Sequence, residues 1–394
     1  MNLGVDDDDL ASCVQCGLCL PHCPTWRISG DEQRSPRGRI ATMRLVQRDG
    51  VDLDDAALDV FGSCVQCRGC EPACPSGVPF GRMIAATTER VAATEPSTRR
   101  WARRAVVASL GRHRLVLAGA TLVAAAQRVP GVGRRVPTRS RLPLRRPPLR
   151  IPRTPAGDEV WLLTGCVMDA VGRGVHQATV DLLVAAGFAP RVPERHEGCC
   201  GALAHHAGEA DVARRQARRT MAAFPGDAPI VVDSAGCGAH LKELGETLGT
   251  PEAHAVAARV VDVVELLATR LDRLPTRGEP RPVVAVQDPC HLRHVQKVHL
   301  PVRRLLDRVV DVVELDDDGL CCGAGGAYQV THPAEASELR ARKLVAISRT
   351  GVTWVASANP GCSMHLAGEP GLRVSHPVEI MAAALTDRRL DDGG

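Results

Sequence analysis

Two cysteine runs constrain this chain more than any other feature. Cys13, Cys16, Cys19 and Cys23 are spaced C-x2-C-x2-C-x3-C and followed by Pro24. Cys64, Cys67, Cys70 and Cys74 repeat the spacing before Pro75. Three thiolates on one tight loop can cap three irons of a cube, while the fourth iron needs a ligand from another direction. This run is how bacterial chains bind paired [4Fe-4S] clusters, the fourth Cys of each run reaching the other cluster. The expected sets are therefore Cys13, Cys16, Cys19 and Cys74 for one cluster, and Cys64, Cys67, Cys70 and Cys23 for the other. Zinc is the alternative for four thiolates, but it usually takes two separated C-x2-C pairs.

The remaining eight of the 16 cysteines form a repeat of their own. Cys166, the pair Cys199–Cys200 and Cys237 are matched by Cys290, the pair Cys321–Cys322 and Cys362, at offsets of 124, 122 and 125 residues. The C-terminal half is thus an internal duplication. Adjacent cysteines rarely bond each other without strain, so each pair is expected to reach metal. The segment Asp6 to Asp9 stands where a secretory signal would carry a basic stretch and an apolar core. The expected setting is the reducing cytoplasm, where a disulfide framework is rare. Each unit ends in C-x2-H, placing His240 and His365 three residues after Cys237 and Cys362.

The two units resemble the cysteine-rich CCG domains of heterodisulfide reductase B subunits. From about residue 10 to 385, outside the basic stretch described below, the chain resembles the iron–sulfur subunits of bacterial glycolate oxidases. That likeness is carried by Cys13-Val-Gln-Cys-Gly-Leu-Cys, Pro36-Arg-Gly-Arg-Ile, Cys74-Pro-Ser-Gly-Val and Cys199-Cys-Gly-Ala-Leu. It continues through Asp288-Pro-Cys-His-Leu, Cys321-Cys-Gly-Ala-Gly-Gly, Asn359-Pro-Gly-Cys and His365-Leu. The heterodisulfide reductase type uses five cysteines per unit to hold an unusual cluster, the last two spaced C-x2-C; here His240 and His365 stand in the fifth position. Three readings stay open: His supplies the missing ligand, the unit holds a four-Cys cluster, or one unit has lost its metal. One or two clusters beyond the first pair are expected on that basis.

Four segments follow: a small helical cluster-binding domain at 1–95, a basic helix and Pro-rich linker at 96–156, and CCG units at 157–276 and 277–394. Residues 99–153 carry fifteen Arg and no Asp or Glu, a charge of +15 in a chain whose net charge is +4, so the remainder is −11. Trp101 to Val129 has the composition of a basic amphipathic helix, which reads as a membrane-surface or partner-binding element, or else as a solvated linker. Pro130 to Pro155 should be extended and stiff. The apolar stretch Leu115 to Ala126 is too short for a bilayer, which needs about 20 residues. Aromatics are 2% of the chain, so platforms for stacking single-stranded nucleic acid are scarce.

After residue 157 the pattern is α/β. Val160 to Leu163, Ile230 to Val232, Val283 to Val286, Val312 to Leu315 and Trp354 to Ala356 read as buried strands. Cys166, Cys237, Cys290 and Cys362 fall just after strand ends, where open α/β sheets gather their ligands. His205 and His206, after the first CCG motif, could approach a cluster or a quinone but are expected at surface helix positions, and His291 could hydrogen-bond a cluster sulfur.

No flavin or nicotinamide motif is present. The resemblance implies an electron-transfer subunit that receives electrons from the FAD of a partner oxidising a 2-hydroxy acid such as glycolate and passes them to a quinone-type acceptor. It would lie in the cytoplasm or peripherally on the inner face of the membrane, with 99–129 as the contact. The alternatives are a disulfide reductase working at a CCG unit, or a subunit serving a lactate or glycerol 3-phosphate flavoprotein.

Overall fold

The computed structural model describes residues 1–130, 140–153 and 156–385. Parts of the proline-rich stretch, at 131–139 and 154–155, and the C-terminal residues 386–394 lie outside the described residues.

The C-terminal half holds two four-stranded parallel sheets. The first comprises β1 (Asp158–Leu163), β2 (Phe188–Arg191), β3 (Ile230–Val232) and β4 (Val260–Asp262), in the order β2-β1-β3-β4. The second comprises β5 (Val283–Val286), β6 (Asp311–Glu314), β7 (Trp354–Ala356) and β8 (Arg373–Ser375), in the order β6-β5-β7-β8. The two orders are the same, as a duplication requires. Central strands of parallel sheets are covered on both faces and read as continuous apolar runs. That is why β1, β3, β5 and β7 are visible in the sequence. In each sheet the order in which strands are added switches sides between the two central strands. This switch point is where loops diverge and leave a crevice at the strands' carboxyl ends.

The units share their core. One apolar cluster runs through Val160, Leu182, Val231, Val263, Val284, Leu305, Trp354 and Met381. The helix after β8 (Pro377–Leu385) packs against Arg173–Ala185 of the first unit, and the helix after β4 (Val263–Leu267) packs against Leu300–Leu306 of the second. Each unit therefore lends its last helix to the other.

The N-terminal module is helical, its longer helices being Pro36–Gln47 and Phe80–Thr94 around Leu10, Met43, Phe61 and Met83. The basic segment forms two helices, Ser97–Ser109 and His113–Ala126, bent 99° against each other. Among the described residues no single helix is long and apolar enough to cross a membrane. The segment is docked on the first unit. Arg103 (2.9 Å) and Arg104 (3.3 Å) both reach the buried carboxylate of Glu209. Further on, Arg146 donates to the Ala170 carbonyl (2.8 Å), and the Gln127 amide bonds Leu142 N and Ser140 O, both at 2.8 Å. Residues 140–153 carry neither helix nor strand, in keeping with their prolines.

Candidate cluster sites

Both N-terminal runs wind the same way. Gln15 (φ 58°) and Gly17 (φ 85°) flank Cys16 in left-handed conformation, as Gln66 (φ 54°) and Arg68 (φ 59°) flank Cys67. A side-chain-bearing residue there costs roughly 1–3 kcal/mol. Alternating backbone of this kind gathers N–H groups into a concavity suited to an anionic group such as an iron–sulfur cluster. The Pro36-Arg-Gly-Arg-Ile motif braces the runs. Ser35 caps its helix, with Oγ accepting from Gly38 N at 3.0 Å. At Gly38 any Cβ would lie 2.0 Å from the Glu32 carbonyl oxygen, so no other residue fits. Arg37 donates to Gln15 O (2.9 Å). Arg39 is 1% exposed and donates to Val60 O (2.8 Å), Ser63 Oγ (3.0 Å) and, at 3.8 Å, Cys23 Sγ.

Cys23 lies with Cys64, Cys67 and Cys70 around one small cavity. Cys16 is exposed, whereas Cys13, Cys19 and Cys74 are half-buried against the module's core. Burial pushes the Cys19 thiol up to about 11 and those of Cys67 and Cys70 well above their ordinary range. All sixteen thiols are free of disulfides. Soft sulfur donors in sets of four, one of them beside the buried guanidinium of Arg39, fit iron–sulfur clusters in donor number and type.

The eight later cysteines meet in one place. Cys166, Cys199, Cys200, Cys237, Cys290, Cys321, Cys322 and Cys362 all line a single cavity of about 270 Å³ at the carboxyl ends of both sheets. Within the first unit Cys200 Sγ is 3.3 Å from Cys237 Sγ, and hydrogen bonds from Cys166 and Cys200 hold the Cys199 thiol low. In the second, bonds from Cys321 and Cys362 hold Cys322 low. Asn359 donates to Cys362 Sγ at 3.6 Å. The N-terminal module touches this cavity, because Val65 and Cys67 pack with Cys290, Cys321 and Tyr328.

Neither C-x2-H histidine lines the cysteine cavity. His365 is buried and donates Nε2–H to the Ala336 carbonyl at 3.2 Å. His240 faces a second cavity, of about 240 Å³, with His205, His206 and His291. The expectation of surface positions for His205 and His206 is corrected here: their five-residue helix Ala202–His206 turns both rings onto that wall. His291 donates Nε2–H to Gln66 O at 3.1 Å, so that nitrogen is taken by the module's backbone.

Sequence reasoning missed a further group. His113 stacks on His196 (3.5 Å between ring centres) with the buried Asp169 3.4 Å from His113 Nε2. Burial pushes His196 down to about 4. Arg173 lies 2.6 Å from Asp169 and fills the place of a cation, so the group ties the basic helix to the helix after Cys166. Its three residues are far apart in sequence and carry no motif.

Residues 9–78 match the 4Fe-4S dicluster domain, and residues 160–242 and 284–367 each match the cysteine-rich domain CCG. With the geometry above, these define an iron–sulfur protein with a two-cluster module and a duplicated cysteine-rich domain. The chain is 32% identical over 397 residues to the glycolate oxidase iron-sulfur subunit of Escherichia coli (strain K12), covering 96% of this chain and 95% of that one. It is 30% identical over 398 residues to the probable glycolate oxidase iron-sulfur subunit of Bacillus subtilis (strain 168), covering 92% and 89%. Identity to one subunit of the fumarate reductase (CoM/CoB) of Methanothermobacter marburgensis is 30% over 242 residues, 59% of this chain and 47% of that. The chain belongs to the family of glycolate oxidase iron–sulfur subunits.

Proposed function

We propose that this chain is the electron-transfer subunit of a flavin-dependent 2-hydroxy-acid oxidase of the glycolate type, taking electrons from a partner's FAD and delivering them to a quinone-type acceptor. Clusters held by the cysteine sets supply one-electron transfer; hydride chemistry belongs to the partner. The observation that carries the reading is the continuity of the sets. The exposed loop at Cys16 leads to the set of Cys23, Cys64, Cys67 and Cys70, and Cys67 packs against Cys290 and Cys321 of the shared cavity. Val14 (69% exposed) and Leu18 (57%) beside Cys16 offer the partner an apolar docking point where electrons enter.

Glycolate added to the anaerobic chain together with its flavoprotein should bleach the visible absorption of the chain, and the chain alone should oxidise no glycolate. Activity of the lone chain overturns the assignment. Iron and acid-labile sulfide of about 8 each correspond to Cys13, Cys16, Cys19, Cys74 and Cys64, Cys67, Cys70, Cys23 alone, while roughly 12–16 adds the CCG cysteines. A disulfide reductase reading is favoured by the open cavity shared by eight thiols. On that reading a disulfide reoxidises the reduced chain.

The basic helices are the proposed membrane contact: Trp101 (73% exposed) and Leu122 (72%) stand out beside arginines. The protein should sediment with anionic vesicles at low salt and be released as salt screens the charges. Trp101→Glu with Leu122→Glu should abolish sedimentation, and unchanged sedimentation rules this contact out.

A further inference from the structure

The cavity of about 240 Å³ holding His205, His206, His240 and His291 lies where the three modules meet. Gln66 and Arg68 enter it from the N-terminal module, on either side of Cys67. His205 and His206 come from the helix after Cys200, and His240 from the helix bearing Cys237. His291 adjoins Cys290. This space borders the cysteine cavity directly, sharing His206, Gly236 and His291 with it.

Its chemistry is selective. Ring centres of His205 and His240 lie 5.2 Å apart, as do those of His206 and His291, so the imidazoles line one continuous wall. His240 is 5% exposed, and its buried Nε2 has no hydrogen-bond partner. That nitrogen is enclosed against Gly201, so it is the other ring nitrogen of His240 that can meet a ligand in the cavity. Burial pushes His240 down to about 3 and also lowers His205, so both rings are neutral near pH 7 and can each offer an N–H. Cations on the wall are already engaged: Arg68 is held by Glu71 (2.8 Å) and Glu243, and Arg82 by Asp9 (2.7 Å). With Glu246 also facing the space, an anionic acid or phosphate meets carboxylates and no spare positive charge. Pro79, Ile84, Ala85 and Val295 complete the wall with apolar surface. A neutral, flat ring edged with hydrogen-bond acceptors suits such a lining.

We propose that this cavity is the binding site for a quinone ring, with the imidazoles of His205, His206 and His240 donating to its carbonyl oxygens. The inference rests on the electron-transfer reading above and names the acceptor's place. Reducing the ring adds two electrons, arriving singly, and two protons. The partner's reduced flavin supplies the electrons and water at the cavity mouth the protons.

The test uses the full chain purified anaerobically with its iron. Duroquinone is the probe, because its fully methylated ring leaves no position for thiol addition. Equilibrium dialysis should show saturable binding to the wild type, weakened at least tenfold by His206→Leu and by Ala85→Trp, which fills the space from another helix. Iron and sulfide content equal to wild type certify that each variant has folded. Glycolate at the same concentrations should neither bind the cavity nor displace the quinone. No saturable duroquinone binding, or equal binding by both variants, overturns the site. Reduction of the wild type by its flavoprotein is measured alongside. A chain that is reduced but binds no quinone loses only this inference, whereas one that binds quinone but is reduced by no flavoprotein loses only the electron-transfer reading.

Discussion

His240 and His365 occupy the same place in two copies of one sequence pattern and have opposite surroundings. Both follow a cysteine by three residues on the helix after a central strand, and both are about 95% buried. His365 is satisfied internally, through the Ala336 carbonyl on the long helix Pro333–Arg349. His240 has an unpartnered nitrogen and faces the histidine cavity. The duplication thus reproduces strand order and cysteine placement, while the neighbours each unit acquired decide what the repeated residue can do. The second unit is covered by Val65 and Cys67 of the N-terminal module; the first is covered by the basic helices, clamped through Glu209.

The largest effect should come from breaking that clamp. Glu209→Ala leaves Arg103 and Arg104 without the 3%-exposed carboxylate they share. Both guanidiniums retain some solvent and Arg103 keeps Glu95, so the cost should fall somewhat below that of a fully buried pair, at about 2–3 kcal/mol. Thermal melting should register the loss. Trypsin should cut sooner at the arginines of 97–130, with the second unit still protected. If 97–130 stays as resistant as in the wild type, the helices are held by something other than this clamp.

The histidine contrast predicts effects of opposite sign. His365→Leu removes a buried hydrogen bond to the Ala336 carbonyl, which keeps its helical partner, and should cost about 1–1.5 kcal/mol. His240→Leu removes an unmet buried nitrogen and should be neutral or slightly stabilising, because replacing an unsatisfied polar group by an apolar one of similar size carries no hydrogen-bond loss. Equal losses in denaturant melts of the two variants would erase the distinction.

Much of this architecture is legible in the sequence. Central strands β1, β3, β5 and β7 announce themselves because both faces are buried. The edge strands β2, β4 and β8 are three or four residues long and interrupted by residues such as Pro190, which a central position would not tolerate, Asp262 and Arg373. Spacing brought each cysteine into a motif, and twelve of the sixteen line two cavities. Spacing could not reveal the histidine cavity, whose walls come from five separate segments, nor the docking of the basic segment. Arg103 finds Glu209 106 residues away, and composition alone reads that stretch as a linker.

The smallest expected effect tests another point where the copies diverge, the last strand of each sheet. In the first unit β4 ends at Asp262, which is 1% exposed; in the second β8 ends at the uncharged Ser375. Burial raises the Asp262 carboxyl to about 7, against the backbone N–H of Val264 and the charge of Lys242, which lower it. The folded chain therefore holds this proton more tightly than the unfolded chain, whose aspartates titrate near 4. By linkage, the stability from this group is complete below about pH 4 and is lost as pH rises through about 7. Asp262→Asn keeps a side-chain oxygen to cap Val264 N, which Asp262 now does at 3.0 Å, and carries no charge to bury. The variant should gain about 1 kcal/mol at pH 8, and the gain should vanish near pH 4. Melting curves at the two pH values decide it. A gain independent of pH would mean that packing rather than ionisation separates Asp262 from Ser375.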